Sequence, residues 1–386
     1  MGRCSMIIER IKSYLLKRRE NIINGYLNCI PSPFLRFRKN FPGIEQGKYY
    51  IITAAPKVGK TQLSSYFLYN ALEEAFTKND KIRIKIFYFP LEESEDLIIL
   101  RYMCYLLYKY KKKLISPEEL SSTQKAVDEE ILLMLESPEI KSRLEFFEQH
   151  VIFSDERNPT GMMKFLESYA KNNGKIIYRK MQYKDTEGHL VVKDKFDHYE
   201  ANDRNEYVLW FIDHLSLIQQ ERGMTLRETM LKCSEYAKDF KTRYNYIPIF
   251  VQQQGLETTS LQAYKEGKIR PTVAGLSDCK DTAKDVDLMI GLCNPYSFEM
   301  DTYCKYPIKD LQGYARILEI VVNRHGPTNG ILGVLMLGQA AYFEELPKPD
   351  DNIALARVQA FINNLIKPVQ EIKKGLLFLL INKITK

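Results

Sequence analysis

The sequence predicts an α/β protein with a mainly parallel central sheet flanked by helices, and two observations carry that prediction. From Lys48 onward, short runs rich in β-branched and aromatic residues alternate with segments whose apolar residues recur at three- and four-residue spacing. That is the pattern of buried strands joined through covering helices. Within it, Tyr49-Tyr50-Ile51-Ile52 runs into a loop that ends Gly59-Lys60-Thr61 at the head of a helical segment. Strand, loop and helix in that order are the setting of a phosphate-binding loop.

Composition supports a folded protein: of 386 residues, 45% are hydrophobic and 27% charged, which excludes disorder and collagen. With 56 Lys and Arg against 49 Asp and Glu the net charge is +7, which permits a polyanionic partner without requiring one. The seven cysteines (4, 29, 104, 233, 279, 293 and 304) are scattered, with no C-x-x-C spacing, and are expected to be reduced thiols. The five histidines show no metal-ligand spacing, so no metal beyond a nucleotide's magnesium is expected. Glu9, Arg10 and Lys12 interrupt the apolar N-terminal stretch, and the late apolar run Leu376–Ile381 is short. Neither a signal peptide nor a membrane span is expected, and the predicted location is the cytoplasm.

In chain order, Ile7, Ile8, Ile11, Tyr14 and Leu15 share one face of a basic helix over 6–24, and a proline-broken connection follows from Cys29 to Gly47. Strands are predicted at 48–54, 83–89, 150–153, 207–212, 247–251, 286–292, 316–322 and 331–336. Helices are predicted at 60–77, 94–111, 117–137, 159–171 and 225–243. Residues 175–205 read as an inserted β-hairpin. After a Pro- and Asp-rich break, Leu355, Val358, Ile362 and Leu365 mark a helix over 352–366, and a last apolar segment follows Pro368.

Chemistry gathers where strands end. In the loop Ala54-Ala55-Pro56-Lys57-Val58-Gly59-Lys60-Thr61, backbone N–H groups at the helix start would face phosphates and Gly59 would allow close approach. Lys60 supplies a positive charge and Thr61 a hydroxyl for Mg²⁺. Ala54 stands where the general motif has Gly. The strand Ile84 to Phe89 leads to Glu92 and Glu93, either of which would activate water or simply favour the next helix's N-terminus. Tyr207 to Ile212 is an apolar strand ending on Asp213, a metal-holding carboxylate or a turn former. Pro248 to Val251 ends in Gln252-Gln253-Gln254, amides suited to sensing a γ-phosphate or relaying its loss to a loop.

Taken in order, these segments resemble the RecA-like motor domain of DnaB-family replicative helicases, from about Pro31 to Leu346. Ala54-Ala55-Pro56 before Gly59-Lys60-Thr61 is similar to that family's own loop, which also begins with Ala. Phe89-Pro90-Leu91-Glu92-Glu93-Ser94 resembles its Phe-Ser-Leu-Glu-Met-Ser, which assigns the catalytic base to Glu92. Phe211-Ile212-Asp213-His214-Leu215 resembles Ile-Asp-Tyr-Leu, and the strand ending at Gln254 matches one closing on a sensor glutamine. Leu276-Ser277-Asp278 with Asp285-Val286-Asp287, and Phe343-Glu344-Glu345-Leu346, are similar to later segments of the same domain. Arg324-His325-Gly326-Pro327-Thr328 resembles Arg-Asn-Gly-Pro-Thr, whose arginine completes a neighbouring subunit's site.

The resemblance implies an ATP-dependent DNA helicase or translocase, phage or mobile-element in type, that uses ATP and Mg²⁺, acts on single-stranded DNA and works as a homo-oligomer, a hexameric ring. Its expected organisation is a linker-type helix (1–29) in place of the family's N-terminal collar, a motor domain (30–346) and a C-terminal helical extension (347–386). Helix 6–24 would dock on an adjacent subunit or fold back on its own domain. The extension would dock a primase or loader, or pack internally. DNA contacts are implied near Gln219–Arg227 and Gly255–Lys280, through Arg222, Arg227, Lys265, Lys268 and Arg270. Two departures stand out: Ala55 and Val322 replace an Arg and a Lys common in the family. They leave open a recombinase-like or clock-like ATPase, or a degenerate one kept as a structural partner.

Overall fold

The computed structural model describes residues 3–78, 81–184, 186, 189–255 and 269–366. Helix α1 (Arg3–Ile23) precedes a short antiparallel pair, β1 (Ile30–Pro31) with β2 (Gly43–Ile44). The domain then runs β3 (Tyr50–Ala54), α2 (Lys60–Thr77), β4 (Arg83–Pro90), α3 (Glu95–Lys111), α4 (Pro117–Leu120), α5 (Glu129–Leu135), α6 (Pro138–His150) and β5 (Val151–Phe153). It continues through α7 (Pro159–Asn172), the hairpin strands β6 (Gly174–Lys184) and β7 (Leu190–Ala201), β8 (Glu206–Asp213), α8 (Leu226–Tyr244) and β9 (Ile247–Gln253). Strands β10 (Leu288–Cys293), β11 (Ala315–Asn323), β12 (Ile331–Leu337) and β13 (Tyr342–Glu345) close it.

Nine strands form one sheet in the order β13-β12-β11-β10-β3-β9-β8-β4-β5. From β10 to β5 all neighbours are parallel, whereas β11, β12 and β13 are added antiparallel. Parallel strands need coverage on both faces, and strand alternation supplies two apolar surfaces. Tyr50, Ile52 and Ala54 of β3 point into one core with α2, α3 and α6, while Tyr49 and Ile51 join a second core with α7 and α8. A third core beneath β11 and β12 takes in Leu355 and Ile362, so the helix over 352–366 packs on its own domain.

Most predicted elements appear within a residue or two. One does not: the continuous helix expected over 117–137 is two short helices, α4 and α5, and α6 beyond them was not foreseen. Ser121, Ser122 and Thr123 break it; Ser122 has φ 58°, and the hydroxyls of Ser121 and Ser122 bond within the turn, to the Glu118 carbonyl and the Val127 N–H. Ser137-Pro138 then starts α6, with Pro at the first helical position. The hairpin forms a separate two-stranded sheet, anchored by Ile176, Phe196 and Tyr199 against the second core. The segment after Pro368 lies outside the described residues.

Among the described residues of helix α1 the apolar side chains stand out from the protein: Ile11, Tyr14 and Leu15 are 48%, 54% and 57% exposed. Near its end Arg18 reaches Glu45 at 3.3 Å and Lys17 reaches Asn205 at 3.3 Å. No helix among the described residues is long and apolar enough to cross a membrane.

The first core also contains a charge cluster. Glu73 of α2 is 5% exposed and accepts from Arg143 of α6 at 3.1 and 3.2 Å, from Lys109 of α3 at 3.1 Å and from the Tyr110 hydroxyl. One carboxylate thus ties three helices together. Removing a buried partner strands the remaining charges. Glu73→Ala is expected to lower unfolding free energy by about 3 kcal/mol, read as a reduced urea midpoint with an unchanged slope. A loss below about 0.5 kcal/mol would show the cluster to be a surface decoration.

Candidate functional site

Parallel register brings the strand ends to one edge of the sheet. Ala54 at the end of β3 pairs with Leu292 of β10 and Gln253 of β9, and Pro90 of β4 pairs with Asp213 of β8. Open α/β sheets place their ligands at this carboxyl edge.

The loop from Ala55 to Gly59 leaves β3 and starts α2 at Lys60. Two left-handed residues shape it, Lys57 at φ 61° and Gly59 at φ 110°. Glycine is required at 59 on two counts: its φ, and a Cβ there would lie 2.6 Å from the Met336 sulfur. Ala55 and Pro56 are half-buried and Lys57 is exposed. The opening N–H groups of α2 therefore emerge from a tight loop, the arrangement that binds anions.

Lys60 is 8% exposed, and its ammonium makes no hydrogen bond among the described residues. Burial lowers its pKa, opposed by the nearby Asp213 and Glu92 charges. Asp213 is 4% exposed and lies on the α2 face of β8, where Ser64 donates to its Oδ2 at 3.4 Å. Its Oδ1 is buried without a partner. Burial pushes the carboxyl up to about 6, against the pull of Lys60. An orphaned buried carboxylate oxygen in front of an anion-binding helix end is what a magnesium–phosphate pair would satisfy, and the hydroxyl of Thr61, one residue into α2, is unengaged among the described residues. The residues present fit that group.

The two adjacent glutamates have different environments. Glu93 forms a two-point ion pair with Arg101 of α3, at 2.5 and 2.7 Å, and Arg101 is 7% exposed. Burial pulls Arg101 down, but Glu93 more than offsets it and the guanidinium stays charged. Glu92 is about half exposed, and its carboxylate is 3.7 Å from His214 Nε2. Burial and the Lys60 charge lower His214 to about 4, so its imidazole is neutral at pH 7. Of the pair, Glu92 has a carboxylate free to engage water.

The glutamines also divide. Gln254 is 1% exposed, donating to Thr53 Oγ1 at 2.9 Å and the Thr272 carbonyl at 3.1 Å while accepting from the Thr272 N–H at 3.2 Å. Its amide is committed, and it joins the phosphate-loop strand to the segment at 272. Gln252 is similarly tied to Ser277, Cys279 and Thr282. Gln253 shares its face of β9 with Val251 and Ile249, which belong to the core shared with α2, and its side chain makes no hydrogen bond among the described residues. Of the three, Gln254, the one the sequence reading singled out, lines the cavity beside the loop together with Ala55–Val58.

Beside the loop, a cavity of about 410 Å³ is lined by Ala55–Val58, Gln254, Leu292, Asn294 and Phe298, among others. Asn294 Oδ1 is buried there without a partner. An apolar recess with few polar groups next to a phosphate loop suits a nucleoside.

Arg324 is exposed, with no ion-pair partner among the described residues, and lies at the opposite edge of the sheet. Asn323 pairs with Leu288, whereas Ala54 pairs with Leu292. Those four positions along β10 span about 13 Å. Arg222 is exposed; Arg227 is paired with Asp281 at 2.6 Å; Arg270 lies 3.0 Å from the Tyr303 hydroxyl and 3.5 Å from Glu319. Lys265 and Lys268 lie outside the described residues.

No protein-family model matches the sequence, and no curated protein does. Solved structures do. The chain is similar to one solved as an ATPase domain, with TM-score 0.60 and 14% identity over 87% of this chain and 99% of that one. It is also similar to a DnaB-like replicative helicase described with its interactions with primase, with TM-score 0.59 and 14% identity over 87% of this chain and 66% of that one. At this identity the likeness speaks to architecture, and with the sheet order and the loop geometry it identifies the chain as a RecA-like ATPase fold of the kind seen in DnaB-like helicases.

Proposed function

We propose that the protein is an ATP-hydrolysing, ring-forming translocase on single-stranded DNA, a helicase of the DnaB type. The observation that carries this is the convergence of Lys60, Asp213 and Glu92 on one phosphate loop, with Arg324 at the opposite edge of the sheet.

On this reading the α2 N-terminus and Lys60 bind the β- and γ-phosphates, and Thr61 and Asp213 hold Mg²⁺. When bound, that ion neutralises phosphate charge in the transition state. Glu92 accepts the proton of the attacking water, and His214 limits where its carboxylate swings. Gln254, which lines the cavity beside the loop, senses the nucleotide and passes the change through Thr53 and Thr272 to the loop beyond. Arg324 completes the site of a second copy, which makes hydrolysis a property of the assembly. The exposed apolar face of α1 supplies a contact between copies. Arg222, Arg227 and Arg270, with Lys265 and Lys268, meet DNA phosphates without reading bases. Partners other than DNA, such as a primase or loader, would use surfaces outside this site.

Lys60→Ala and Glu92→Gln are each expected to cut ATP turnover by on the order of 100-fold or more while leaving the melting temperature near wild type. Glu93→Gln should do the reverse, lowering stability by about 2 kcal/mol with turnover retained, because it weakens the pair that keeps Arg101 buried. Full turnover in Lys60→Ala would remove the phosphate-loop assignment.

Turnover should rise with single-stranded DNA, and the nucleotide-bound protein should have the mass of a ring. Arg324→Ala is expected to bind ATP yet hydrolyse poorly. Mixed with Glu92→Gln protein, it should regain activity, since each mixed interface of one orientation has an intact loop and an intact finger. Mixed assemblies that form but stay inactive would contradict action in trans. DNA-stimulated turnover without displacement of a forked duplex would favour a recombinase-like role.

A further inference from the structure

We infer that Arg316 is a positioning residue for the phosphate loop, a buried cation that fixes the loop's shape from behind and whose charge is balanced only when a polyphosphate binds. The inference rests on reading residues 54–61 as a nucleotide site.

Arg316 lies on β11 opposite Val334 of β12 and is 8% exposed. Its Nε donates to the Val58 carbonyl in the loop at 2.8 Å, and its Nη1 donates to the Gly313 and Ala315 carbonyls at 2.5 and 2.9 Å. All three acceptors are neutral. Among the described residues it has no carboxylate partner, and the titratable group that faces it is the Cys293 thiol, which burial pushes up and keeps neutral. Burial lowers the guanidinium to about 10, so it is still charged at pH 7.

Every other well-buried basic side chain set out above has a carboxylate nearby: Arg101 has Glu93, Arg143 has Glu73, Lys60 has Asp213. An unbalanced buried charge costs folding stability, and a neutral amide would satisfy a carbonyl more cheaply. What a neutral group cannot provide is a fixed positive potential at the loop. Through the poorly screened interior that potential reaches an anion held by the same backbone. The contact is also mechanical. Met336, on the neighbouring strand, abuts Gly59, so β11 and β12 hold the loop at Val58 and Gly59 together.

Two variants separate charge from hydrogen bonding. Arg316→Gln keeps a donor and loses the charge; Arg316→Lys keeps the charge and loses the planar fork. Calorimetric titration with Mg-ATP, Mg-ADP and AMP measures how affinity grows with phosphate number. Arg316→Gln is expected to lower the ATP-to-AMP affinity ratio by on the order of tenfold, whereas Arg316→Lys holds that ratio within about threefold of wild type. Thermal melts without nucleotide show whether each variant folds. Should Arg316→Gln not fold, a collapsed ratio in folded Arg316→Lys overturns the inference. So does an equal loss for all three nucleotides in Arg316→Gln, the mark of a purely structural clamp. A wild-type protein that binds none of them would instead overturn the nucleotide reading itself.

Discussion

A mostly buried ammonium and a buried carboxylate, Lys60 and Asp213, lie close together at the carboxyl edge of a parallel sheet, and neither has a full set of partners. Holding both there is costly, because burial disfavours each charge. The fold meets that cost with rigidity. Lys60 opens α2, which is packed along its length on the first core; Asp213 ends a strand buried between β4 and β9. Neither side chain can retreat into water without unmaking the register of the central strands. A site so arranged is preorganised for a ligand that brings both negative charge and a cation.

Around this pair, neighbours in sequence are given opposite tasks by the direction in which they point. Glu93 is consumed by Arg101 and so stabilises the turn from which Glu92 projects. Gln252 and Gln254 are consumed on one face of β9, and Gln253 is left on the other. In both cases one residue fixes backbone geometry through its partners and its neighbour is left without that constraint. The period-two alternation of a strand makes this economical, since adjacent residues cannot share an environment.

Much of this was legible in the sequence. The run from Tyr49 to Thr61, the acid closing Tyr207–Ile212 and the alternation of strands with helices are local signals, and they placed the loop, the sheet class and the carboxylates at the strand ends. What escaped depends on tertiary direction. Which of the consecutive glutamines are held by hydrogen bonds depends on partners distant in sequence, Thr53 and Thr272 for Gln254 and Ser277, Cys279 and Thr282 for Gln252. Arg316 sits in an apolar strand more than 250 residues from Val58, and no local pattern connects them. The misread helix over 117–137 failed for a different reason: its apolar spacing was real, but Ser121, Ser122 and Thr123 offered the backbone a competing set of hydrogen bonds.

The antiparallel strands added to the sheet have a consequence for assembly. Because β11 runs against β10, its far end and Arg324 are delivered to the edge opposite the phosphate loop. Hydrogen bonds from the Arg324 N–H to the Asp287 carbonyl, and from Tyr49 N–H and Lys241 to the Asp287 carboxylate, pin that end to the starts of β10 and β3. An arginine fixed there cannot turn toward its own loop by any small motion. If it acts in hydrolysis it acts on another copy, and the exposed apolar residues of α1 give such a copy a surface to hold. On the proposed reading, the same rigidity that assembles one half of the site within the chain places the other half out of its reach, so a lone subunit is built to bind nucleotide and an assembly to consume it.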